Sequence, residues 1–584
     1  ARTSSVPIAL DAAAWVGRTT AVVSSTDPTY TQFVYLAQYE GDEMNRAHKW
    51  RKQKVQASFT GDGSTTIWAL PTDFERFTTE QRRASSILLG LQGPVSDDEF
   101  LDAQVRGFNP TIPYWRVSGD NIVFASHMTN RPLPPIGGTA FPEGVVHIER
   151  QRLLWQERMH ERIAITSFAS TSMVLPLEME VGVDFVDMFE VRGMKRARSG
   201  RLREPRAVGN SIAFSYEGLD GVIRRSALFV SDPIESFDGH TLRFQTIIER
   251  GQQTVLHLEV GPGAGIKPSE SRWRTASARA RRSIRKTLHA GAGIRASNPV
   301  FDEWLHKSRA DLALLRTELE TGPYPYAGIP WFSTPFGRDG IITAMQILWL
   351  DPSLARGVLA FLSRNQATDT SAFQDSAPGK ILHETRRGEM ANLGEVPFAK
   401  YYGGVDSTPL FVMLAGAYAR RTGDLSFIDS IWPSLQRAVG WIEGAGDSDQ
   451  DGFVDYARAL GSGLANQGWK DSNDSVFHAD GSDPVGPIAL VEVQGYVFAA
   501  FLEMAEISEM RGDEDGAVAY RRRADRMRAA IEQRYWMDNR GFYAMALDGR
   551  HQLCAVRGSN AGHLLYAGVP SKTRASAVID ALLA

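Results

Sequence analysis

The run Trp331-Phe332-Ser333-Thr334-Pro335-Phe336-Gly337-Arg338-Asp339-Gly340 sets an aromatic wall beside a guanidinium and a carboxylate. Aromatic faces stack on pyranose rings and charged groups hydrogen-bond hydroxyls at fixed angles, so the run suits capture of a terminal sugar. A plainer use of the same residues is open: Asp339 caps a helix and Arg338 pairs with a surface acid. Farther on, Gln467-Gly468-Trp469-Lys470-Asp471-Ser472-Asn473-Asp474-Ser475 places carboxylates next to an indole. Partial desolvation beside Trp469 raises the pKa of a carboxyl toward the range useful for protonating a leaving oxygen, which makes Asp471 the candidate general acid. Dense Asp and Ser are also turn and N-cap chemistry, and Asp474 can serve there.

Two other patterns bear on metals. Asp447-Ser448-Asp449-Gln450-Asp451-Gly452 begins like a calcium loop, with alternating acids and then a glycine, but Arg458 stands where a bidentate Glu belongs; an Asp-rich turn explains Asp447, Asp449 and Asp451 as well. His383, His478 and His563 show no metal-ligand spacing with Cys554 or one another, so no metal is expected. In Val491-Glu492-Val493-Gln494-Gly495-Tyr496, core packing accounts for the valines more easily than for Glu492, so Glu492, Gln494 and Tyr496 are expected to reach the mouth of a site.

Three stretches of different periodicity must position these groups. Residues 1–125 carry short mixed signals, with Gly61-Asp62-Gly63-Ser64 as a turn and Pro113-Tyr114-Trp115-Arg116-Val117 before Gly119-Asp120 as a strand and turn, which fits a small α/β module. Residues 126–270 switch to period two. Leu175, Leu177, Met179 and Val181 alternate with Glu178 and Glu180, and Leu256, Leu258 and Val260 repeat the pattern, as in an antiparallel β-sandwich. Residues 271–297, rich in Arg and Ala, read as a solvated linker helix. Over residues 298–584 the period is helical: Asn298 caps, Pro299 suits the first turn, and Val300, Phe301, Trp304, Leu305, Leu312 and Leu315 form one apolar stripe. Further helices are expected over Gly340–Leu350, Ser353–Asn365, Ser407–Arg421, Ser426–Glu443, Ile488–Met510, Ala517–Tyr535 and Asn560–Tyr566. Helices alternating with long Gly/Asp/aromatic loops describe a toroid of helical hairpins with its loops at one mouth.

Length and composition agree with several folding units: 584 residues, 43% hydrophobic and 23% charged. No apolar run approaches the roughly 20 residues of a membrane span. A net charge of -4 gives no overall pull toward nucleic acid, and one cysteine rules out an internal disulfide framework. The default expectation is a cytoplasmic protein with neither a nucleic-acid nor a membrane partner; charge and composition leave oligomeric state open.

Five ordered runs, WFSTPFGRDGIITAMQIL, HETRRGEMANLGEVPFAKYYGGVDSTPLF, NQGWKDSNDS, PIALVEVQGYV and SNAGHLLYAG, resemble the consecutive signatures of bacterial amylo-α-1,6-glucosidase (glycogen-debranching) proteins. MTNRPLPPIGG, HIERQRLLW and Asp184-Phe185-Val186-Asp187-Met188-Phe189-Glu190-Val191-Arg192-Gly193 are similar to that family's sandwich domain, the last with a structural role in packing sandwich against toroid. The resemblance spans about residues 128–584. It implies an (α/α)6 barrel related to glucoamylase, inverting hydrolysis of α-glucosidic bonds in an α-glucan or oligosaccharide, Asp471 as acid and no organic cofactor. It also implies a substrate site drawn from Trp331, Phe336, Arg338, Asp339, Glu384, Asp406, Trp469, Lys470, Asp474 and Glu492. Inversion needs a second carboxyl roughly 6.5–9.5 Å from the first. The base is expected on a late loop beyond residue 584, with Glu384, Glu389 and Glu395 as alternatives near the mouth. Related toroids also act on sucrose-like and trehalose-like substrates, so fold fixes neither linkage nor sugar. Residues 1–125 loosely resemble phage head-to-tail or tail adaptor proteins, which keeps open a noncatalytic sugar-binding or structural fusion.

Overall fold

The computed structural model describes residues 111–584, except 131–132, 137–138, 264, 329–330, 471 and 584, together with a strand pair at Arg83–Ala84 and Ile87–Leu88. The adaptor-like GDGSTT run and Asp471 lie outside the described residues.

Antiparallel pairing builds an eight-stranded sheet from β1 (Thr111–Val117), β2 (Phe124–Thr129), β3 (Val146–Trp155), β4 (Arg158–Ser167), β6 (Arg201–Val208), β7 (Ser211–Glu217), β8 (Ile223–Val230) and β11 (Gln253–Pro262), in the order β6-β7-β8-β11-β4-β3-β2-β1. A smaller sheet, β9-β10-β5, holds Ser236–Phe237, Thr241–Ile248 and Met173–Glu180. Their facing sides, Ile163, Ile165, Phe214, Leu228, Leu256 and Leu258 against Met173, Leu175, Leu242 and Phe244, make the sandwich core that the period-two pattern predicts. The boundary at residue 125 needs correction. β1 pairs with β2 through Tyr114↔His127 and Trp115↔Ser126, so the PYWRV strand is the edge of the sandwich sheet.

β11 departs from simple alternation: His257 and Glu259 are buried on its second face. The reason is α1 (Glu270–Leu288), the arginine-rich helix, which is no solvated linker. Trp273, Ala276, Ser277 and Ala280 are buried, and Arg272 grips Glu259 with two bonds of 2.8 Å, while Glu270 meets His257 at 3.0 Å.

The helical region contains α2 (Pro299–Leu315), α3 (Gly337–Ile347), α4 (Pro352–Arg364), α5 (Ser407–Thr422), α6 (Leu425–Ile442), α7 (Val491–Met510), α8 (Glu514–Arg534), α9 (Asn560–Ala567) and α10 (Lys572–Leu583). Each of α3/α4, α5/α6, α7/α8 and α9/α10 is a packed hairpin, and α3, α5, α7 and α9 also pack serially on one another. That makes them an inner row. α5 and α7 are apolar nearly all round and buried nearly throughout, as inner helices must be, whereas α8 buries only Ala517, Ala524, Met527 and Ile531. Close approach within the row relies on Gly495, where a Cβ would come within 2.8 Å of Leu564. The α2 stripe is not the core seam expected: Val300, Phe301 and Trp304 are exposed and only Ala310 is buried. Among the described residues no helix is long and apolar enough to cross a membrane.

Sandwich and helices are latched together by the segment 184–196. Asp187 caps the short helix Met188–Val191 and also accepts from the Met390 amide at 3.1 Å, while Phe189 packs with Met390, Ala391 and Val396. Glu389, expected near the mouth, is buried here instead. It accepts from the Tyr216 hydroxyl at 2.8 Å and the Leu219 amide at 2.6 Å, and lies 3.4 Å from the buried Arg196, which also holds Glu395 at 2.7 Å. Glu389→Ala leaves the Tyr216 hydroxyl and the Leu219 amide without their acceptor, while Arg196 keeps Glu395, so urea unfolding should show a loss of roughly 1–3 kcal/mol. An unchanged midpoint would remove the latch.

Candidate active site

The inner row brings four helix N-termini to one end of the helical region. α3 starts one turn earlier than its predicted Gly340, with Phe336 as N-cap, so Arg338 and Asp339 stand in its first turn and not in a loop. Gly337 is required there, since a Cβ would lie 2.0 Å from the Leu382 carbonyl. Asp406 is the N-cap of α5, Glu492 lies in the first turn of α7, and Asn560 opens α9. Unpaired N–H groups and the helix dipole favour negative charge at such ends.

Arg338, Asp406 and Glu492 are buried, the latter two at 1% exposure. Arg338 Nη1 donates to the Gly468 carbonyl at 2.9 Å and reaches Asp406 Oδ2 at 3.2 Å. Burial lifts the Asp406 carboxyl above its ordinary range, with Arg338 opposing the rise. Glu492 Oε1 accepts from Asn560 Nδ2 at 2.8 Å, and Lys470 Nζ donates to Asn560 Oδ1 at 2.8 Å. Burial pushes Glu492 up to about 7, with Asn560 and Lys470 pulling it back and Asp406 adding to the rise. Asp406 Oδ1, Glu492 Oε2, Trp469 Nε1, His383 Nδ1 and Ser407 Oγ are buried without a hydrogen-bond partner among the described residues. Orphaned polar atoms at this density are costly in a purely structural core and are what a polyhydroxylated ligand satisfies.

The loop carrying Trp469 and Lys470 is held firmly. Val405 N donates to the Gln467 carbonyl at 3.0 Å, and Asn466 Oδ1 receives Gly468 N and the Tyr456 hydroxyl, each at 3.0 Å. Asn466 Nδ2 bonds the Lys470 carbonyl and, at 3.3 Å, that of Ser472, so one amide fixes the chain on both sides of residue 471. Trp469 stacks at a tilt 5.3 Å from His563, whose Nδ1 meets the Tyr496 hydroxyl at 2.6 Å. Asn560 is not among the residues expected at the site and His563 is expected only as a satisfied or exposed histidine, although the i, i+3 spacing in SNAGH places both on one helix face.

Other expected residues lie elsewhere. Trp331 belongs to the sandwich latch: Arg192 and Arg386 each sit 4.3 Å from its ring centre and Phe189 meets it edge-on, so its face is taken by guanidinium groups. Phe336 is core, packed near Phe332 and His383. Glu384 is buried and bonded to Arg386 at 2.7 Å. Gln494 is an anchor, exchanging bonds of 2.9 and 2.8 Å with the Val454 backbone, and does not reach the mouth. Asp339 is half-buried and Asp474 exposed. In the acidic turn Asp447 caps the Asp451 and Gly452 amides; Asp447, Asp449 and Asp455 offer oxygens within 4.8 Å of one another, as do Asp449, Asp451 and His551, so either trio has ligand spacing. Asp455, which burial pushes up to about 6, was not foreseen as a member.

A group raised to about 7 from 4.5 stabilises the fold below pH 4.5 and loses that contribution as pH climbs to 7, here on the order of 3 kcal/mol. Glu492→Gln, which does not ionise, should therefore gain stability relative to wild type between pH 4 and pH 8. A parallel pair of stability curves would exclude a buried, neutral Glu492.

The architecture is a β-sandwich followed by paired inner and outer helices, with buried carboxylates at the inner N-termini. Residues 101–259 match the N-terminal domain of (some) glycogen debranching enzymes, and residues 337–584 match the mannosylglycerate hydrolase MGH1-like glycoside hydrolase domain. These two matches overlap the stretch over which the ordered motifs resemble glycogen-debranching proteins. The first match begins upstream of β1, in keeping with the corrected boundary. Among solved structures the chain is similar to a putative kojibiose phosphorylase from human microbiome, at 11% identity and TM-score 0.44, covering 73% of this chain and 57% of that one. It is similar also to a GH78 family rhamnosidase of Bacillus sp. GL1, at 14% and 0.38, covering 77% and 40%. The chain thus spans less than two thirds of either. No curated protein matches it.

Proposed function

We propose that the chain is a glycosidase whose terminal-sugar subsite is formed by Arg338, Asp406, Glu492, Trp469 and Lys470, with Asp339 at its edge, and whose general acid is Asp471. The observation that carries this reading is the set of buried, unpartnered atoms on Asp406, Glu492 and Trp469, gathered at four helix N-termini beside the carbonyls that Asn466 clamps around residue 471. The reaction is inverting hydrolysis of an α-glucosidic bond: Asp471 protonates the departing oxygen while a second carboxylate activates water. The helical region is then the greater part of an (α/α)6 toroid, and the substrate is an α-glucan or short oligosaccharide.

The match of residues 337–584 favours a second reading, an α-linked mannose on an acidic aglycone such as mannosylglycerate. The chain should be assayed on isomaltose-type, maltose-type, sucrose-type and mannosylglycerate substrates, with the anomer of the released sugar followed by NMR. β-Glucose as first product supports the leading reading. α-Glucose rules out inversion, release of mannose alone transfers the case to the second substrate, and no turnover of any substrate sinks both.

A further inference from the structure

The unassigned residues of the pocket lie on α9. Asn560 is 1% exposed, and its amide has one possible orientation: an ammonium only donates, so the oxygen must face Lys470 and the nitrogen Glu492. One turn on, His563 pairs with Tyr496 of α7 and packs against Trp469 of the loop. Both side chains therefore grip the same two elements, α7 and the Trp469-Lys470 loop, from the same helix face. Asn560 uses up Glu492 Oε1 and leaves Oε2, which is buried and unpartnered, as the oxygen available to a ligand hydroxyl.

We infer that Asn560 is a positioning residue: through its two opposed hydrogen bonds it locks Glu492 and Lys470 in register across the pocket and so presents Glu492 Oε2 to the sugar. The last clause rests on the glycosidase reading; the lock itself does not. Asn560 also governs protonation. The titratable groups that interact with Glu492 are Lys470 and Tyr456 from the loops, Asp406 from the N-terminus of α5, Tyr496 of α7 and Tyr535 after α8, with Arg338 of α3 bonded to Asp406 and His563 of α9 to Tyr496. Asn560 makes the hydrogen bond that most opposes the effect of burial on Glu492.

Asn560→Asp separates positioning from mere packing. The variant is isosteric and gives Lys470 an ion pair, so it should fold, but it replaces the donor facing Glu492 by a second carboxyl. Two carboxyls sharing a site hold one proton between them, which raises the Glu492 midpoint by about one pH unit or more. The midpoint is read by infrared titration of the protonated carboxyl band that Glu492→Gln abolishes, and kcat and KM for the best substrate are measured across the same pH range. The expected result is a midpoint raised in Asn560→Asp, with kcat/KM reduced about tenfold or more near neutral pH and the pH profile displaced in step. If the midpoint rises while neither wild type nor variant cleaves any glycoside, the lock stands and the glycosidase reading falls. If midpoint and pH profile are both unmoved, Asn560 does not position Glu492 and the inference is overturned.

Discussion

Asp471→Asn should lower kcat on an unactivated α-glucoside by about 10²–10⁴-fold, the span typical of losing a general acid. An amide of the same shape keeps the volume and much of the hydrogen bonding but has no proton to give a departing alkoxide. The test is selective because the need for that proton depends on the leaving group. With α-glucosyl fluoride, whose leaving group departs with little help, the deficit should shrink to about tenfold or less. Asp474→Asn is the internal control: Asp474 is exposed, so its replacement should change kcat less than about twofold and leave the urea midpoint within about 0.5 kcal/mol. An equal loss on both substrates would assign Asp471 a binding role; full activity in the variant would remove it from the reaction. On either side of residue 471, Asn466 holds the Lys470 and Ser472 carbonyls and Arg338 holds the Gly468 carbonyl.

What the sequence shows clearly is what repeats or what has a period. Alternation in β5 and the one-sided stripes of α4 and α6 locate sandwich and hairpins, because burial on one face writes itself into spacing, and α5 and α7 show as long apolar runs. Boundaries and partners are less legible. α3 begins at Gly337 because the backbone of Leu382 crosses there, a contact 45 residues distant that no local signal announces. Trp331 looks like a sugar platform by residue type, yet two arginines far apart in sequence, Arg192 and Arg386, occupy its ring. Glu389 and Glu395 look like mouth acids until Arg196 and Tyr216 of the sandwich meet them. For Arg338, Asp406, Trp469 and Glu492 the residue types and positions are legible, since apolar neighbours leave a charged side chain unexplained. Asn560 was not, because an amide at a helix start is ordinary capping chemistry until Glu492 and Lys470 are seen on its two sides.

Arg338→Met should cost about 3–5 kcal/mol at pH 7.5, because it leaves Asp406 buried and charged with no counter-ion. Asp406→Asn should cost less, about 1–3 kcal/mol, because the guanidinium keeps the Gly468 carbonyl as acceptor, and the double variant, neutral at both sites, should recover much of the Arg338→Met loss. The pH dependence gives the sign. Burial already raises the folded Asp406 carboxyl above its unfolded value, and removing Arg338 takes away the group that opposes the rise. A group raised in this way contributes stability below its unfolded pKa and loses it as pH climbs, so the Arg338→Met deficit should be smallest near pH 4 and largest above neutrality. Function should not follow stability. The double variant, though folded, lacks both the guanidinium that fixes the Gly468 carbonyl and the carboxylate whose Oδ1 is free for a ligand, so turnover should remain lost. Urea unfolding of the four proteins at pH 4 and 7.5, with kcat/KM at each, checks this. Additive losses would deny the ion pair its coupling, and a stable, active double variant would place sugar recognition elsewhere.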